Sequence, residues 1–193
     1  MGGNYLITAL TYVIQTLMSL YIGAVMVRFL LHVVGADCFY YNPLARALVS
    51  FTNPALRPLR RMIPGYKGID WAAVLLMLGL QAIESLIISA LYGVIPAPLP
   101  LILITAAELL RITVYVFITA VLLQWAFSWL MPQQYNPVAE LAELLAEPIL
   151  KPARRLLPAM GGFDLSPMLA FIFLNLTLIL LVNLLFDLAH HFS

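Results

Sequence analysis

Three ionisable residues stand inside long apolar runs: Glu84, Glu108 and Arg111. An unpaired charge near the centre of a bilayer costs at least about 2.5 to 3.5 kcal/mol on insertion scales, so these side chains must face protein. Glu84 lies twelve residues before Pro96 and Arg111 eleven after Pro100. In a hairpin turning at those prolines both reach about 16 Å from the turn, at ~1.5 Å per residue. The spacing predicts a Glu84–Arg111 ion pair, with Glu108 one helical turn before Arg111 completing a triad. Such a triad is either a structural lock between helices or part of an ion or proton path. Arg28 sits near one end of its apolar run and can snorkel to headgroups.

A second set of candidate residues is cationic. Arg57, Arg60 and Arg61, and likewise Lys151, Arg154 and Arg155, are spaced i, i+3, i+4, which puts three cations on one helical face. Guanidinium groups grip phosphate in a bidentate way, so each triplet suits anionic lipid or a phosphate on a partner. Plain interfacial anchoring, at roughly 1 kcal/mol per basic residue, accounts for the charges but not for the fixed prolines between them. Asp70 and Asp164 read as N-caps of the spans that follow, in preference to salt bridges with these arginines. Tyr41 and Tyr135 read as interfacial residues. No Ser, Cys or His motif of a known catalytic type, phosphate-binding glycine loop or Cys/His metal cage is present, and the single cysteine, Cys38, cannot form an internal disulfide. No enzyme, cofactor or metal is expected. A net charge of +1 gives no global field for nucleic acid.

The elements that must carry these residues are membrane spans. With 63% hydrophobic and 10% charged residues in 193, the chain cannot be a water-soluble domain. Four stretches suffice to cross a ~30 Å hydrocarbon core: about Tyr5 to Val34, Trp71 to Ile95, Leu99 to Leu130 and Leu165 to Ala189. The first has no preceding Lys or Arg and is too long for a cleaved signal, so it is expected to stay as a span. Pro96, Pro98 and Pro100 forbid helix continuation and predict a tight extended turn between spans two and three. Eight of the ten Lys and Arg lie in the two long linkers, which the positive-inside rule makes cytoplasmic, with both termini on the other side of an inner membrane. Trp71, Trp125, Trp129, Tyr40, Tyr41 and Tyr135 mark the same boundary. Asn42-Pro43 and Asn136-Pro137 are helix starts, each opening a short amphipathic helix. Pro58 and Pro152 should kink or break it, and Pro64 and Pro158 should end it. Gln81, Ser85, Ser89 and Gly93 recur every four residues on span two, a narrow face for helix packing.

The chain repeats itself. Sliding it by 94 residues superposes Tyr41-Asn42-Pro43 on Tyr135-Asn136-Pro137, Pro54 on Pro148, Pro58 on Pro152, Arg60-Arg61 on Arg154-Arg155, Pro64 on Pro158, Gly68 on Gly162 and Asp70 on Asp164. Twelve of thirty positions are identical without a gap, so the chain divides into repeat one, 1–96, and repeat two, 97–193, each a span, a basic linker and a span. Two crossings per unit give both copies the same orientation, related by a pseudo-twofold axis along the membrane normal. Gln81 and Asn175 fall at equivalent positions, where two amides can meet near that axis. The expected fold is an all-α membrane protein of four transmembrane helices, built as two parallel two-helix repeats.

The doubled pattern of Y-N-P, ten residues, P-x-L-[RK]-P-x-R-R, a proline three residues on, and G-h-D before a span resembles the YggT (YlmG) family of small bacterial and plastid membrane proteins over essentially the whole chain. The resemblance brings no established reaction and no catalytic residue. It implies roles in osmotic-shock tolerance, in membrane or division-site organisation, or in plastid assembly, and of these a non-enzymatic role in osmotic-stress adaptation, with an effect on ion or osmolyte movement, is the one expected. The alternative it leaves is a membrane assembly or scaffold protein using the paired linker motifs. The expected partners are anionic lipid headgroups, a second copy of the chain or another membrane protein.

Overall fold

The computed structural model describes residues 3–35, 37–63, 65–66, 68–94, 96–130, 135–156 and 164–192. Pro64, Lys67, Pro158, Gly162 and Ile95, which figure in the sequence patterns above, lie outside them. The described chain is helical: α1 (Gly3–Val33), a 3-10 turn at Asp37–Phe39, α2 (Pro43–Met62), α3 (Trp71–Leu91), α4 (Pro98–Leu130), α5 (Pro137–Leu156), α6 (Ser166–Thr177) and α7 (Asn183–His191). A π-helical turn at Leu178–Val182 fuses α6 and α7 into one rod. The extended pairing among the described residues is one isolated bridge, Tyr66 to Ile69.

Four helices are long and apolar enough to cross a membrane: Tyr5–Val33, Trp71–Leu91, Pro98–Leu130 and Ser166–His191. These are the four apolar runs of the sequence, and the chain has the form of a multi-pass membrane protein. Large apolar side chains such as Leu17, Leu20, Ile102, Phe173 and Leu180 point outward, as lipid-facing surfaces require. The turn between α3 and α4 is more helical than three prolines suggest. Gly93 takes φ 71 and donates to the Ala90 carbonyl at 3.1 Å while Val94 donates to Ser89 at 2.9 Å, the paired bonds that close a helix C-terminus on a left-handed glycine. Pro98 then opens α4 and Pro100 sits in its first turn, where a missing N–H costs nothing.

The linker helices differ from expectation. Neither is short or broken: α2 and α5 each run 20 residues through two internal prolines. Each proline removes a donor to the carbonyl four residues earlier, an interior defect of about 3 kcal/mol. Pro54, Pro58, Pro148 and Pro152 are all on the exposed side, where water or headgroups can satisfy the freed carbonyls. The opposite face is buried and holds the helix together: Ala45, Thr52 and Leu56 in α2, and Ala142, Leu145, Ala146, Leu150 and Ala153 in α5.

Two cores result. Leu56 joins Ile22, Val25 and Met26 of α1 and Ala73 and Met77 of α3. Leu145, Ala146 and Leu150 join Val114, Ala120 and Val121 of α4 and Ala170 and Leu174 of α6, with Leu31 from α1. The halves meet through α4, which packs on α1 and α3 as well as on α5, α6 and α7. Leu56 and Leu150, 94 residues apart, are the two leucines that seat the linker helices, at 0% and 1% exposure. Leu56→Ala and Leu150→Ala are each expected to lower the unfolding free energy by about 2 to 5 kcal/mol, read by denaturant or thermal unfolding in micelles.

Candidate functional site

Each linker helix ends on an arginine that reaches the aspartate at the head of the next span. Arg60 Nε donates to Asp70 Oδ2 at 3.1 Å, and Arg60 Nη2 donates to the same oxygen. Asp70 Oδ1 meanwhile accepts from the Ala73 N–H at 3.4 Å. In the second half Arg154 Nε lies 3.3 Å from Asp164 Oδ2, and Asp164 Oδ1 accepts from the Ser166 N–H at 2.9 Å. Asp70 therefore caps α3 and pairs at once, one oxygen for each role, where the sequence reading set the two against each other; in the second half the N-cap expected at Asp164 falls on Leu165, and Asp164 bonds the first turn of α6 from one residue outside it. The two pairs are unequal. Asp70 is buried, whereas Asp164 is 41% exposed on its side chain and its arginine is shared with Glu147 at 3.1 Å. Partial desolvation works to raise the Asp164 carboxyl, but hydrogen bonds from Ser166 and the Arg154 guanidinium outweigh it and hold the group below its ordinary value.

One cation of each triplet is thus engaged. Arg57, Arg61, Lys151 and Arg155 are exposed and make no ion pair among the described residues. The Y-N-P segments lie side by side. Asn42, fully buried, caps α2 through Oδ1, which accepts from Leu44 and Ala45 at 2.9 and 3.1 Å. Its amide crosses to the other copy, donating to the Pro137 carbonyl at 3.0 Å and to Glu140 Oε2 at 2.9 Å. Asn136 caps α5 at Val138, 2.8 Å, and no such reach is returned. The residue 94 before Glu140 is Arg46, which offers no acceptor. Tyr135 donates to Glu140 at 3.1 Å, and Tyr41 and Tyr135 are both exposed, as are Trp71, Trp125 and Trp129.

The intramembrane residues gather, but in a different pairing. Arg111 bonds Glu108 of its own helix at 2.6 Å, and its guanidinium lies 5.9 Å from the Phe186 ring of α7. Glu84 makes no ion pair with Arg111 among the described residues; it accepts from Gln81 Nε2 at 3.2 Å. Equal depth along two helices did not fix azimuth: Arg111 turns along α4 toward α7, while Glu84 is buried on α3. Gln81 and Asn175 do not meet either, since Asn175 donates to Phe171 of its own helix at 2.8 Å.

One charged residue takes a place its sequence position did not indicate. Arg28 does not snorkel; it is 7% exposed and lies under α2, donating from Nη1 to Thr52 Oγ1 at 2.6 Å and, more weakly, to the Val49 carbonyl at 3.4 Å. It lines a cavity of about 580 Å³ with His32, Arg60, Asp70, Gly65 and Gly68. The second half holds a smaller cavity, about 280 Å³, between Trp125, Trp129, Gln124, Arg154 and Asp164.

The sequence pattern of the CCB3/YggT family matches residues 7–91 and 103–185, the first reaching from α1 through α3 and the second from α4 into α7. The chain belongs to the CCB3/YggT family. Its relatives include an uncharacterized protein of Pseudomonas aeruginosa, 42% identical over 178 residues, covering 91% of this chain and 89% of the relative. The uncharacterized protein YggT of Escherichia coli K12 is 36% identical over 165 residues, 86% and 85% of the two chains. An uncharacterized protein of Vibrio alginolyticus is 32% identical over 166 residues, 85% and 88%. No solved structure matches the chain. Within this family member, sequence reasoning missed Glu140, Thr52 and the inward turn of Arg28. The exchange of Arg46 for Glu140 between copies was the one available sign of the first.

The unequal burial of the two locks has a measurable consequence. Asp70→Asn should cost roughly 1 to 3 kcal/mol, as for a buried charge-assisted bond, and Asp164→Asn less than about 1 kcal/mol, in unfolding measurements in micelles. A folded carboxyl below its ordinary 3.8 contributes stability fully above that pH and loses it only as pH falls through the lower folded value. The Asp164 carboxyl band in an infrared titration, assigned with Asp164→Asn, should therefore appear below the pH expected of a free aspartate.

Proposed function

We propose that the chain is a non-enzymatic inner-membrane protein of two parallel repeats, 1–96 and 97–193, whose paired linker helices form a cytoplasmic platform for anionic headgroups or a membrane-protein partner. Both termini lie on the non-cytoplasmic side. The observation that carries this reading is the buried Asn42 amide joining the starts of α2 and α5, with Arg57, Arg61, Lys151 and Arg155 left exposed. A helix needing only to float at the interface has no use for a buried bridge to its twin. A bridge that fixes the spacing of four cations suits a surface with its own spacing of negative charge.

Osmotic-stress adaptation is supported by a separate feature, the polar cluster within the spans. Glu84, Glu108 and Arg111 are costly in an apolar medium, and the buried Gln81 Oε1 has no hydrogen-bond partner, so the cluster has an acceptor to spare for a passing ion or proton. Four spans make a conducting path only around this cluster or by assembling with further copies.

Neutralising Arg57, Arg61, Lys151 and Arg155 to Gln should abolish enrichment of phosphatidylglycerol over phosphatidylcholine around the protein in mixed nanodiscs, with the fold retained. Enrichment equal to wild type would sink the platform. Ion flux in liposomes under an osmotic gradient, lost in Arg111→Leu and kept in the neutralised variant, would favour conduction. For topology, single cysteines at Arg57 and at Phe192 in a Cys38→Ser background should label from opposite sides with an impermeant reagent. Labelling of position 57 from outside the cell would reverse the assignment.

A further inference from the structure

We propose that the cavity under α2 is a binding site for a phosphate group, held by Arg28 from below and by Arg60 and His32 at its wall. The inference deepens the platform reading and rests on it only in taking the linker side of the bundle to face anionic headgroups.

Arg28 is the reason. It is only 7% exposed, yet it forms no ion pair among the described residues. Its two acceptors, Thr52 Oγ1 and the Val49 carbonyl, are neutral. A buried guanidinium that has to share its counter-charge is costly to keep, because desolvation is repaid only by a close, well-formed pair. The single carboxylate among the cavity's lining residues, Asp70, accepts both of Arg60's bonds. Among the described lining side chains, two guanidinium groups therefore face one carboxylate.

The fixed geometry favours an anion and not water alone. Thr52 Oγ1 accepts from Arg28 Nη1 and donates to the Leu48 carbonyl at 2.8 Å, so the hydroxyl is locked and holds the guanidinium in place. Nε and Nη2 of Arg28 have no hydrogen-bond partner among the described residues, which leaves donors for the planar two-point contact that phosphate oxygens accept. Gly65 and Gly68, which carry no side chain of their own, line the same wall.

The second copy supplies the internal control. It keeps the arginine–aspartate lock, Arg154 with Asp164, but the residue 94 after Arg28 is Leu122, exposed on α4, and its smaller cavity is walled by Trp125 and Trp129. The lock therefore forms without a buried arginine beside it, and Arg28 serves something other than the lock.

The phosphate can belong to a lipid headgroup or to a free anion, and two probes separate these. Purified protein in phosphate-free micelles is titrated with inorganic phosphate and with dihexanoyl phosphatidic acid, dihexanoylglycerol serving as the uncharged control, and binding is followed by calorimetry and by the unfolding midpoint. Saturable binding of phosphatidic acid without phosphate assigns a headgroup, and binding of both assigns a site open to free anions. Arg28→Gln should weaken binding roughly ten- to hundredfold. Because that variant can also disturb packing, His32→Glu is the second test: it leaves Arg28 and its Thr52 bond in place, sets a competing carboxylate at the cavity wall, and should weaken binding while the unliganded midpoint is no lower than wild type. The variant neutralised at Arg57, Arg61, Lys151 and Arg155 should bind inorganic phosphate as wild type does and keep the part of phosphatidic acid binding that Arg28→Gln removes, so loss of platform enrichment and loss of this site are read separately. Absence of saturable binding in wild type, or equal affinity in both Arg28→Gln and His32→Glu, would overturn the proposal.

Discussion

An arginine at the end of each linker helix reaches ten residues forward to the aspartate that opens the next span, and this bond pins the C-terminal end of a helix already seated by its buried face. Two interior prolines strip each linker helix of two backbone bonds, so its own propensity is not enough to hold it. What holds it is one buried leucine face and one ionic tether. The tether closes a short loop between interface and span, which costs little chain entropy because the loop is short. Once the C-terminal end is pinned to the span, the exposed side of the helix, with its remaining cations, has a set direction. Surface ion pairs are worth little as a rule, so the tether matters most in the first copy, where Asp70 is buried and must be paired.

Duplication sets the plan of the chain, and divergence between the copies sets its chemistry. The helices α2 and α5 begin and end 94 residues apart, and the leucine seats and ionic tethers follow the same offset. The exceptions are the informative positions. Glu140 against Arg46 turns a cap into a one-way bridge between copies. Arg28 against Leu122 turns a tether into a charged cavity. The packing is equally one-sided, since α3 lies on α4 while no comparable contact joins α1 to α6 or α7.

The spans, their ends and the caps at Asn42, Asn136 and Asp70 were legible in the sequence because each rests on local chemistry: apolar length, or a side chain bonding two or three residues ahead. Membership of the family was legible from the doubled motif. Pairings across the fold were not. Glu84 and Arg111 share a depth that residue counting gives, but a contact also needs both side chains on facing sides, and Glu108 was already one turn from Arg111. Proline spacing suggested interruption of the linker helices because the rule prices an isolated helix. It omits the burial of Leu56 and Leu150 and the open side on which all four prolines lie. Arg28 looked like a snorkelling residue because its distance from the span's end is visible in sequence and the roof that α2 lays over it is not.

The same limit explains the last span. Leu178–Val182 forms a π-helical turn, which inserts the equivalent of one extra residue into the helix and turns everything after it by about 100° relative to a regular α-helix. Hydropathy is blind to this, because the residues involved are uniformly apolar. The re-phasing decides which side of α7 meets α4: Ala189 is fully buried, and the Phe186 ring lies within 5.9 Å of the Arg111 guanidinium. Arg111 is thereby held between a carboxylate on its own helix and an aromatic face on the next, an arrangement that stabilises a cation in an apolar setting without a second carboxylate. Glu84 is released from the role of counter-ion. The π turn thus helps set the Phe186 ring beside Arg111, while Glu84 stays bonded to Gln81, whose Oε1 is one of several buried span oxygens, with those of Thr11, Thr105 and Gln124, that have no hydrogen-bond partner among the described residues.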